Sequence, residues 1–216
     1  MSDFSAIKIL FLLPILVLAC QQSNEKQSNA TENAVIIEEI EKTYSDSLHQ
    51  IFTENTGYIA KGFDFPVNPP DAKKYYNAQP FGENRHLGDD WNGVGGGNTD
   101  LGDPVFAIAD GVVVAAKQYG GGWGNVVRIV HCLEKHPTYQ FVESVYAHLD
   151  KIKIADGTLV KKGQLVGTIG NANGRYWAHL HLELRSDIEL PIGGGYSTDT
   201  TGYLDPTAFI KANRPK

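Results

Sequence analysis

The stretch WAHLHLEL, residues 177–184, alternates polar and apolar side chains as a β-strand with one buried face does. Because residues two apart on a strand share a face, the leucines would point into a core while His179, His181 and Glu183 point the other way. Arg185 would follow on that polar face. Two imidazoles at this spacing lie close enough to serve one site. A strand whose polar face meets solvent shows the same alternation, and the stretch alone favours that interpretation. Glu183 could orient a histidine, but a surface position is favoured for it.

Much of the remaining chain consists of short apolar runs separated by Gly, Pro and Asp. After residue 57 these runs are FDFPV, PVFAIADGVVVAAK, GNVVRIVHC, FVESVYAHLD and GQLVGTIG. The chain also has 23 glycines and 10 tyrosines, which fits strands joined by turns. We therefore expect a mainly β domain over residues 57–212, an antiparallel β-sandwich or open, barrel-like sheet. Near its C-terminus, DPTAFIKAN predicts a short helix.

An amphipathic helix is predicted before this domain, over residues 35–56. Its apolar residues recur at three- and four-residue spacing, with charged residues between them. These apolar residues are Ile37, Ile40, Tyr44, Leu48 and Ile51. One face of the helix is therefore expected to pack on the domain.

The first 20 residues, MSDFSAIKILFLLPILVLAC, have the features of an export signal. One lysine precedes an apolar run with the length of a signal-peptide core. The final VLAC resembles the lipobox of bacterial lipoproteins, so residues 1–19 would be a signal peptide and Cys20 the lipidated N-terminus. The polar residues 20–34 would form a disordered tether. An uncleaved anchor with an incidental cysteine is the alternative; both place the domain outside the cytoplasm, and Gln21 favours a diderm outer membrane by analogy.

Charge and cysteine content narrow the possible partners and sources of stability. The formal net charge is -6, and Lys and Arg form no cluster in the globular part, so we expect no nucleic-acid partner. Cys132 is the only cysteine besides Cys20, which leaves no internal disulfide for the mature chain. Its position at the end of an apolar strand predicts a buried, unreactive thiol. The neighbouring His131 is expected to pack or to support a site.

Two more histidine patterns precede WAHLHLEL. In HLGDD, His86 and Asp90 are four residues apart, but Gly88 and the glycines that follow predict a loop or strand end, not a helix. An imidazole and a carboxylate are both zinc ligands, although this pair alone is weak evidence. In SVYAHLD, alternation places Tyr146 and His148 on one strand face, and a lone histidine there is more often structural.

In this order, the three histidine patterns resemble those of the lysostaphin/LytM-type zinc metallopeptidases. Those proteins carry H-x-G-x-D, then Y-x-H-L, then H-x-H, and the resemblance runs from about Phe63 to Leu184. It implies three ligands of one zinc ion: His86, Asp90 and His181. It implies two catalytic histidines: His148 and His179.

The resemblance also implies an activity: hydrolysis of peptide cross-links in bacterial peptidoglycan, with one Zn²⁺ per chain and peptide stems as substrate. Two imidazoles and one carboxylate would leave the zinc a position for water, and a histidine would act as base. The residues do not divide that role between His148 and His179, choose between oligoglycine and D-alanyl-diaminopimelate bonds, or indicate a protein regulator. The segment NGVGGGNTDLGD, residues 92–103, departs from the family pattern and leaves one groove wall undefined.

Two other functions fit parts of the sequence. Some LytM-like domains have lost zinc ligands and act as non-catalytic activators of cell-wall amidases, but the complete set here favours an enzyme. The segments ADGVVVAAK and VKKGQLVGTIG are also similar to biotinyl/lipoyl-type and phosphocarrier domains, in which Lys161 or Lys162 could carry a group. The export signal and the pair His86 and Asp90 argue against such a carrier module.

Overall fold

The structure, a computed structural model, describes residues 44–135 and 138–215. Several predicted segments lie outside the described residues: the signal peptide 1–19, Cys20, the tether 20–34 and residues 35–43 of the N-terminal helix. The chain divides into two units, residues 1–48 and residues 49–216. Within the described ranges, no helix is long and apolar enough to cross a membrane.

The helices are few and short. α1 occupies residues 44–54, and a 3₁₀ turn follows at Thr56–Tyr58. α2, Pro206–Ala212, begins where the Asp205 carboxylate accepts a hydrogen bond from the Ala208 amide, with a proline in the first turn. Single helical turns also occur at Asn68–Ala72 and Glu83–Arg85. The short C-terminal helix predicted from the sequence is therefore present.

The described residues form eleven strands in two sheets. The strands are β1 (Tyr75–Gln79), β2 (Asp89–Gly93), β3 (Pro104–Phe106), β4 (Gly111–Gly120), β5 (Gly124–Lys135), β6 (Thr138–Leu149), β7 (Lys151–Ile152), β8 (Leu159–Val160), β9 (Leu165–Thr168), β10 (Leu180–Arg185) and β11 (Tyr203–Leu204). The larger sheet runs β1-β2-β10-β6-β5-β4-β8 with β11 beside β10, and the smaller runs β3-β9-β7. All of these strand pairs are antiparallel and neither sheet closes, so the predicted mainly β, open antiparallel fold is confirmed.

The hydrophobic core takes side chains from both sheets. The larger sheet contributes Val113, Ile129, Tyr146, Leu180, Leu182 and Leu184, and the smaller contributes Val105 and Val166. The three leucines of β10 are fully buried, as the alternation of WAHLHLEL predicted. Burial of each leucine side chain contributes about 1.5–3 kcal/mol, so the strand that carries the two histidines is firmly held.

In SVYAHLD, the alternation of side chains between the two faces of the strand is broken at His148. Tyr146 enters the core, but the His148 ring lies on the opposite side, 5.5 Å from the ring of His181 between centroids. His148 has a φ of 60°, and two residues of β6 oppose the single residue Val126 of β5 at this point. This β-bulge turns the His148 side chain away from the face of Tyr146, so the shared face predicted for the pair was wrong.

At Gly170, the segment that follows β9 packs closely against the backbone at the end of β6. A Cβ atom at Gly170 would overlap the His148 carbonyl oxygen and the Asp150 amide nitrogen, both of them backbone atoms. We expect Gly170→Ala to lower the free energy of unfolding by about 2–3 kcal/mol, measured by denaturant titration. Gly57→Ala is the matched control, since no heavy atom lies within 4 Å of its added Cβ. Equal stability of the two variants would contradict this packing.

Candidate metal centre

Three side chains converge between β2, β10 and the loop that precedes β2. His86 Nε2 lies 3.0 Å from His181 Nδ1 and 3.4 Å from Asp90 Oδ1, and the last two atoms are 2.9 Å apart. Donor atoms about 2.0–2.1 Å from one tetrahedral zinc ion lie about 3.3 Å from each other. The three residues can therefore hold one metal ion, and they are the three that the sequence singled out as ligands.

Strand pairing and one glycine bring these ligands together. Asp90 and His181 are direct cross-strand partners in the β2–β10 ladder. The loop that carries His86 passes very close to β10 at Gly88, where an added Cβ would lie 2.5 Å from the Leu182 carbonyl oxygen. Any side chain at this position would push the loop away from β10, so the glycine of HLGDD is required for the approach.

The hydrogen bonds of the two ligand histidines fix their tautomers. His86 Nδ1 lies 3.1 Å from the Gln79 carbonyl oxygen, which only accepts, so Nδ1 carries the hydrogen and Nε2 a lone pair. His181 Nε2 lies 3.3 Å from Glu183 Oε1, which leaves a lone pair on Nδ1. The two lone pairs then face each other and the Asp90 carboxylate. Such a donor set is stable only with a positive charge between its members, which fits a metal ion.

The pKa values of Asp90 and His181 also indicate that this group of side chains requires a positive charge. Burial raises the pKa of Asp90, but its close contacts with the imidazoles of His181 and His86 outweigh that effect and hold this pKa far below its usual range. Burial lowers the pKa of His181, but its contacts with Asp90 and Glu183 outweigh that effect and raise the pKa to about 9. In the absence of a metal, a proton on His181 therefore supplies the positive charge.

The polar face of β10 is buried, which corrects the expectation of a solvated face and of a surface position for Glu183. Glu183 and Arg185 are both 0% exposed. The Arg185 guanidinium donates to Glu183 Oε2 at 2.6 and 3.0 Å. It also donates to the carbonyl oxygens of Leu190, Pro191 and Ile192. Because each charge has a partner, this face can be buried, and Glu183 orients His181.

His148 and His179 lie beside these three residues, with their ring centroids 4.7 Å apart. Burial and the nearby His181 and His179 lower the pKa of His148 to about 3, so its imidazole is neutral. His148 Nδ1 is buried and has no hydrogen-bond partner among the described residues. His179 Nδ1 lies 2.8 Å from the Trp177 carbonyl oxygen, which leaves a lone pair on Nε2, 3.7 Å from Asp90 Oδ2.

These histidines line a groove of about 540 Å³ whose walls contain three aromatic residues that the sequence did not single out. Trp123 donates from Nε1 to the Gly193 carbonyl oxygen, and its ring lies 5.5 Å from that of His181. The Tyr176 ring packs on His148, and the Tyr196 ring lies 5.1 Å from that of His86. Runs of three glycines at residues 120–122 and 193–195 contribute to the same walls, through Gly122, Gly194 and Gly195. In the sequence, these residues could have been identified as groove residues by an aromatic residue next to consecutive glycines, as in GGWGN and GGGY.

His131 lies outside this centre, as expected. It is fully buried, with Nε2 2.8 Å from Ser144 Oγ and Nδ1 3.0 Å from the Asp110 carbonyl oxygen. Burial lowers the pKa of His131 to about 4. This serine–histidine pair has no access to a substrate and is structural. Cys132 is likewise buried, and burial raises the pKa of its thiol to about 12, as expected of an unreactive cysteine.

Comparison with known proteins assigns the family. A sequence model of peptidase family M23 matches residues 90–192. Lipoprotein NlpD of Yersinia enterocolitica is 37% identical over 84 residues, which are 39% of this chain and 78% of that relative. The chain belongs to peptidase family M23. The predicted resemblance to lysostaphin/LytM-type proteins, which are M23 peptidases, is therefore confirmed.

Two other proteins extend the comparison. DD-carboxypeptidase/endopeptidase Mpg of Neisseria meningitidis is 39% identical over 110 residues, half of this chain and 24% of that relative. The chain thus spans about a quarter of the length of this M23 relative. The crystal structure of a zinc-containing peptidase from Vibrio cholerae aligns with a TM-score of 0.50 and 25% identity, over 72% of this chain and 41% of that one.

Glu183 is expected to tune metal binding by the M23 domain. In the parental chain one carboxylate oxygen of Glu183 faces His181 Nε2 and the other faces Arg185. In Glu183→Gln the amide nitrogen replaces one of these oxygens, so an N–H group faces another hydrogen-bond donor. We expect the dissociation constant for Zn²⁺ to rise about tenfold to a hundredfold, measured by chelator competition. Asp156→Asn removes one negative charge from an exposed loop residue and is the control. An unchanged Zn²⁺ affinity in Glu183→Gln would contradict the role of Glu183.

The raised pKa of His181 predicts proton release on metal binding. Below a pH of about 9 the metal-free His181 carries a proton that a metal must displace from Nδ1. At pH 8 we expect about one proton released per Zn²⁺ bound, measured by titration calorimetry in buffers of different ionisation enthalpy. The apparent affinity should rise about tenfold per pH unit up to that pKa. Binding without proton release would show that His181 is already deprotonated at pH 8.

Proposed function

We propose that this chain is a zinc-dependent endopeptidase that hydrolyses peptide cross-links of bacterial peptidoglycan. The observation that carries the proposal is the set of three convergent donors, His86, Asp90 and His181, with two further histidines at the same groove. Membership of family M23 supports a peptidase, and the Vibrio cholerae relatives named peptidoglycan DD-endopeptidases support a peptidoglycan substrate. Two imidazoles and one carboxylate are the donor types of a catalytic zinc site.

The proposed cofactor is one Zn²⁺ ion per chain, held by those three residues. When bound, zinc acts as a Lewis acid and lowers the pKa of a water molecule, which makes a nucleophile available near neutral pH. The donor set supports zinc over calcium or magnesium, because the latter prefer oxygen ligands. The hydrogen bonds that the imidazoles donate to the Gln79 carbonyl oxygen and to the Glu183 carboxylate keep His86 and His181 in the tautomer that a metal requires.

The geometry supports different roles for the two remaining histidines. His179 Nδ1–H is held by the Trp177 carbonyl, so its Nε2 is free to accept a proton from the attacking water and later to pass it to the leaving amine. His148 is neutral and carries one N–H, which can donate to the oxyanion that develops on the scissile carbonyl. We therefore assign the base to His179 and oxyanion stabilisation to His148, a division that the sequence left open.

The aromatic walls of the groove suit an extended peptide. Trp123, Tyr176 and Tyr196 line the groove around the histidines and offer their ring faces to a bound peptide. We take a direct D-alanyl-diaminopimelate cross-link as the scissile bond, and two Vibrio cholerae relatives named peptidoglycan DD-endopeptidases support this choice. Mass spectrometry of muropeptides released from purified sacculi tests this choice, and release of only oligoglycine fragments from glycine-bridged walls would contradict it.

The proposed location is outside the cytoplasm, where peptidoglycan lies. The signal peptide 1–19 and lipidation of Cys20 would anchor the chain to a membrane, on the periplasmic side of a diderm outer membrane. The relative NlpD is named a lipoprotein, which supports this location. Metabolic labelling with a fatty acid, compared between the parental chain and Cys20→Ser, tests the anchor.

A non-catalytic activator of cell-wall amidases is the alternative within the same family. Such a protein would need neither a metal nor His148 and His179. In this chain both of these histidines line the same groove as the three candidate metal ligands. The carrier-module alternative would need a modified group on Lys161 or Lys162. Lys161 instead lies over the Tyr58 ring and beside Asp110, and Lys162 pairs with Asp64 at 2.9 Å. These contacts support a structural role for both lysines.

Substitution of the five residues should separate metal binding from catalysis. We expect His86→Ala, Asp90→Ala and His181→Ala to lose both zinc and hydrolysis of sacculi. His148→Ala and His179→Ala should keep about one zinc per chain and lose about 10²- to 10⁴-fold in kcat/KM. Zinc content is measured by atomic emission and activity by release of soluble muropeptides.

The parental protein treated with a chelator and then resupplied with Zn²⁺ is the control for these variants. Its activity should vanish and return. A folded parental protein that binds no zinc, or a His148→Ala variant that digests sacculi at the parental rate, would contradict the proposal.

A further inference from the structure

The segment between β2 and β3, in which the sequence departs from the family pattern, contacts the backbone next to His179. Asn98 Oδ1 accepts a hydrogen bond from the Ala178 amide at 2.8 Å. Asn92 Nδ2 donates to the Ala178 carbonyl oxygen at 3.2 Å. Two asparagine side chains thus bind both backbone groups of the residue that precedes His179.

These asparagines replace strand hydrogen bonds that are missing at this point. The β2–β10 ladder begins at Leu180, and the amide of His179 donates to the Gly170 carbonyl oxygen on the other side. Ala178 is fully buried, so its backbone groups have no access to solvent. Because unpaired buried backbone groups are costly, the two asparagines satisfy Ala178 where the ladder does not reach.

The orientation of each asparagine amide follows from its partner. A backbone N–H can only donate, so the Asn98 atom that faces the Ala178 amide is the oxygen. A backbone carbonyl can only accept, so Asn92 presents its nitrogen to the Ala178 oxygen. Neither amide can be flipped without loss of its hydrogen bond.

The segment that carries Asn98 is itself held in place. The buried Asp100 accepts a hydrogen bond from the Gly93 amide at 2.8 Å through Oδ2. Gly102 donates to the Ile169 carbonyl oxygen, and Ile169 donates to the Asp103 carbonyl oxygen, both at 2.8 Å. Asn98 is therefore presented to Ala178 from a fixed turn.

The contact with Asn98 reaches His179 through a single peptide group. The Ala178 N–H and the Trp177 C=O belong to the same planar, trans peptide unit and point in opposite directions. Asn98 holds the N–H end, while the C=O end accepts the His179 Nδ1–H at 2.8 Å. A rotation of this peptide plane would remove the acceptor that fixes the tautomer of His179.

We propose that Asn98 is a positioning residue for His179: it fixes the Trp177–Ala178 peptide, and that peptide keeps the hydrogen on Nδ1 and the basic lone pair on Nε2. This inference rests on the proposed function, in which His179 is the base. It gives Asn98, within the segment of residues 92–103, a supporting role next to the proposed base, although Asn98 itself touches neither the metal site nor a substrate.

The test compares Asn98→Ala, which removes the acceptor, with Asn98→Asp, which keeps an oxygen at the same place. In Asn98→Ala we expect kcat to fall about tenfold to a hundredfold with KM and Zn²⁺ affinity changed less than about twofold. Asn98→Asp should restore most of kcat. Thr99→Ala is the matched control, since its hydroxyl bonds only the Gly96 carbonyl oxygen within the same turn.

A second readout does not depend on activity. In ¹⁵N-labelled, zinc-loaded protein, the long-range ¹H–¹⁵N spectrum reports which nitrogen of His179 is protonated. We expect the Nδ1–H tautomer in the parental chain, Asn98→Asp and Thr99→Ala, and a mixture of tautomers in Asn98→Ala.

The outcomes separate this inference from the proposed function. A parental tautomer and parental kcat in Asn98→Ala would overturn the role of Asn98. An equal loss of kcat in Thr99→Ala, or a parallel loss of Zn²⁺ affinity in Asn98→Ala, would overturn it too, because the turn as a whole would then be responsible. If the parental chain hydrolyses no cross-link but the tautomer depends on Asn98, the proposed function fails and the positioning role stands.

Discussion

The antiparallel pairing of β2 with β10 places Asp90 opposite His181, and the geometry of the centre depends on this contact. Cross-strand partners have Cβ atoms about 4.5–5.5 Å apart, which is close enough for a carboxylate and an imidazole to share one ion. Gly88 then allows the preceding loop to bring His86 to the same point. Three side chains that can each offer a lone pair converge there, and their need for a positive charge between them accounts for the raised pKa of His181 and the lowered pKa of Asp90.

The charged side chains of Glu183 and Arg185 are buried next to the candidate ligands, and their contacts link the candidate metal centre to the wall of the groove. Arg185 pairs with Glu183, which orients His181, and the same guanidinium binds the carbonyl groups of residues 190–192. The next residues form a wall of the groove, where the Gly195 carbonyl accepts from the Leu87 amide beside His86. The wall is thus attached near both ligand histidines, and displacement of Arg185 would leave a buried charge without a partner.

Sequence reasoning succeeded where side-chain direction follows strand alternation. The leucines of β10 are in the core, the short helix follows Asp205, and the motif residues meet in one groove. It failed at His148, because a bulge depends on the register with β5, which a single strand does not encode. It failed at Glu183 because alternation identifies a polar face but not its burial. Trp123 and Tyr196 were missed because only the tertiary fold brings their loops to the histidines.

The H-x-H motif specifies two imidazoles on one strand but not which nitrogen of each carries the hydrogen. For His181 that choice comes from Glu183 on the same strand, so the local sequence contains it. For His179 the position of the hydrogen is set by the carbonyl group of residue 177. Any amino acid at position 177 would provide a carbonyl, so the tautomer depends only on the direction in which that peptide group points. Direction is set by Asn98, about 80 residues earlier in the chain. The segment that departs from the family pattern therefore acts on the His179 side of the groove, while His86 and His181 have supports of their own.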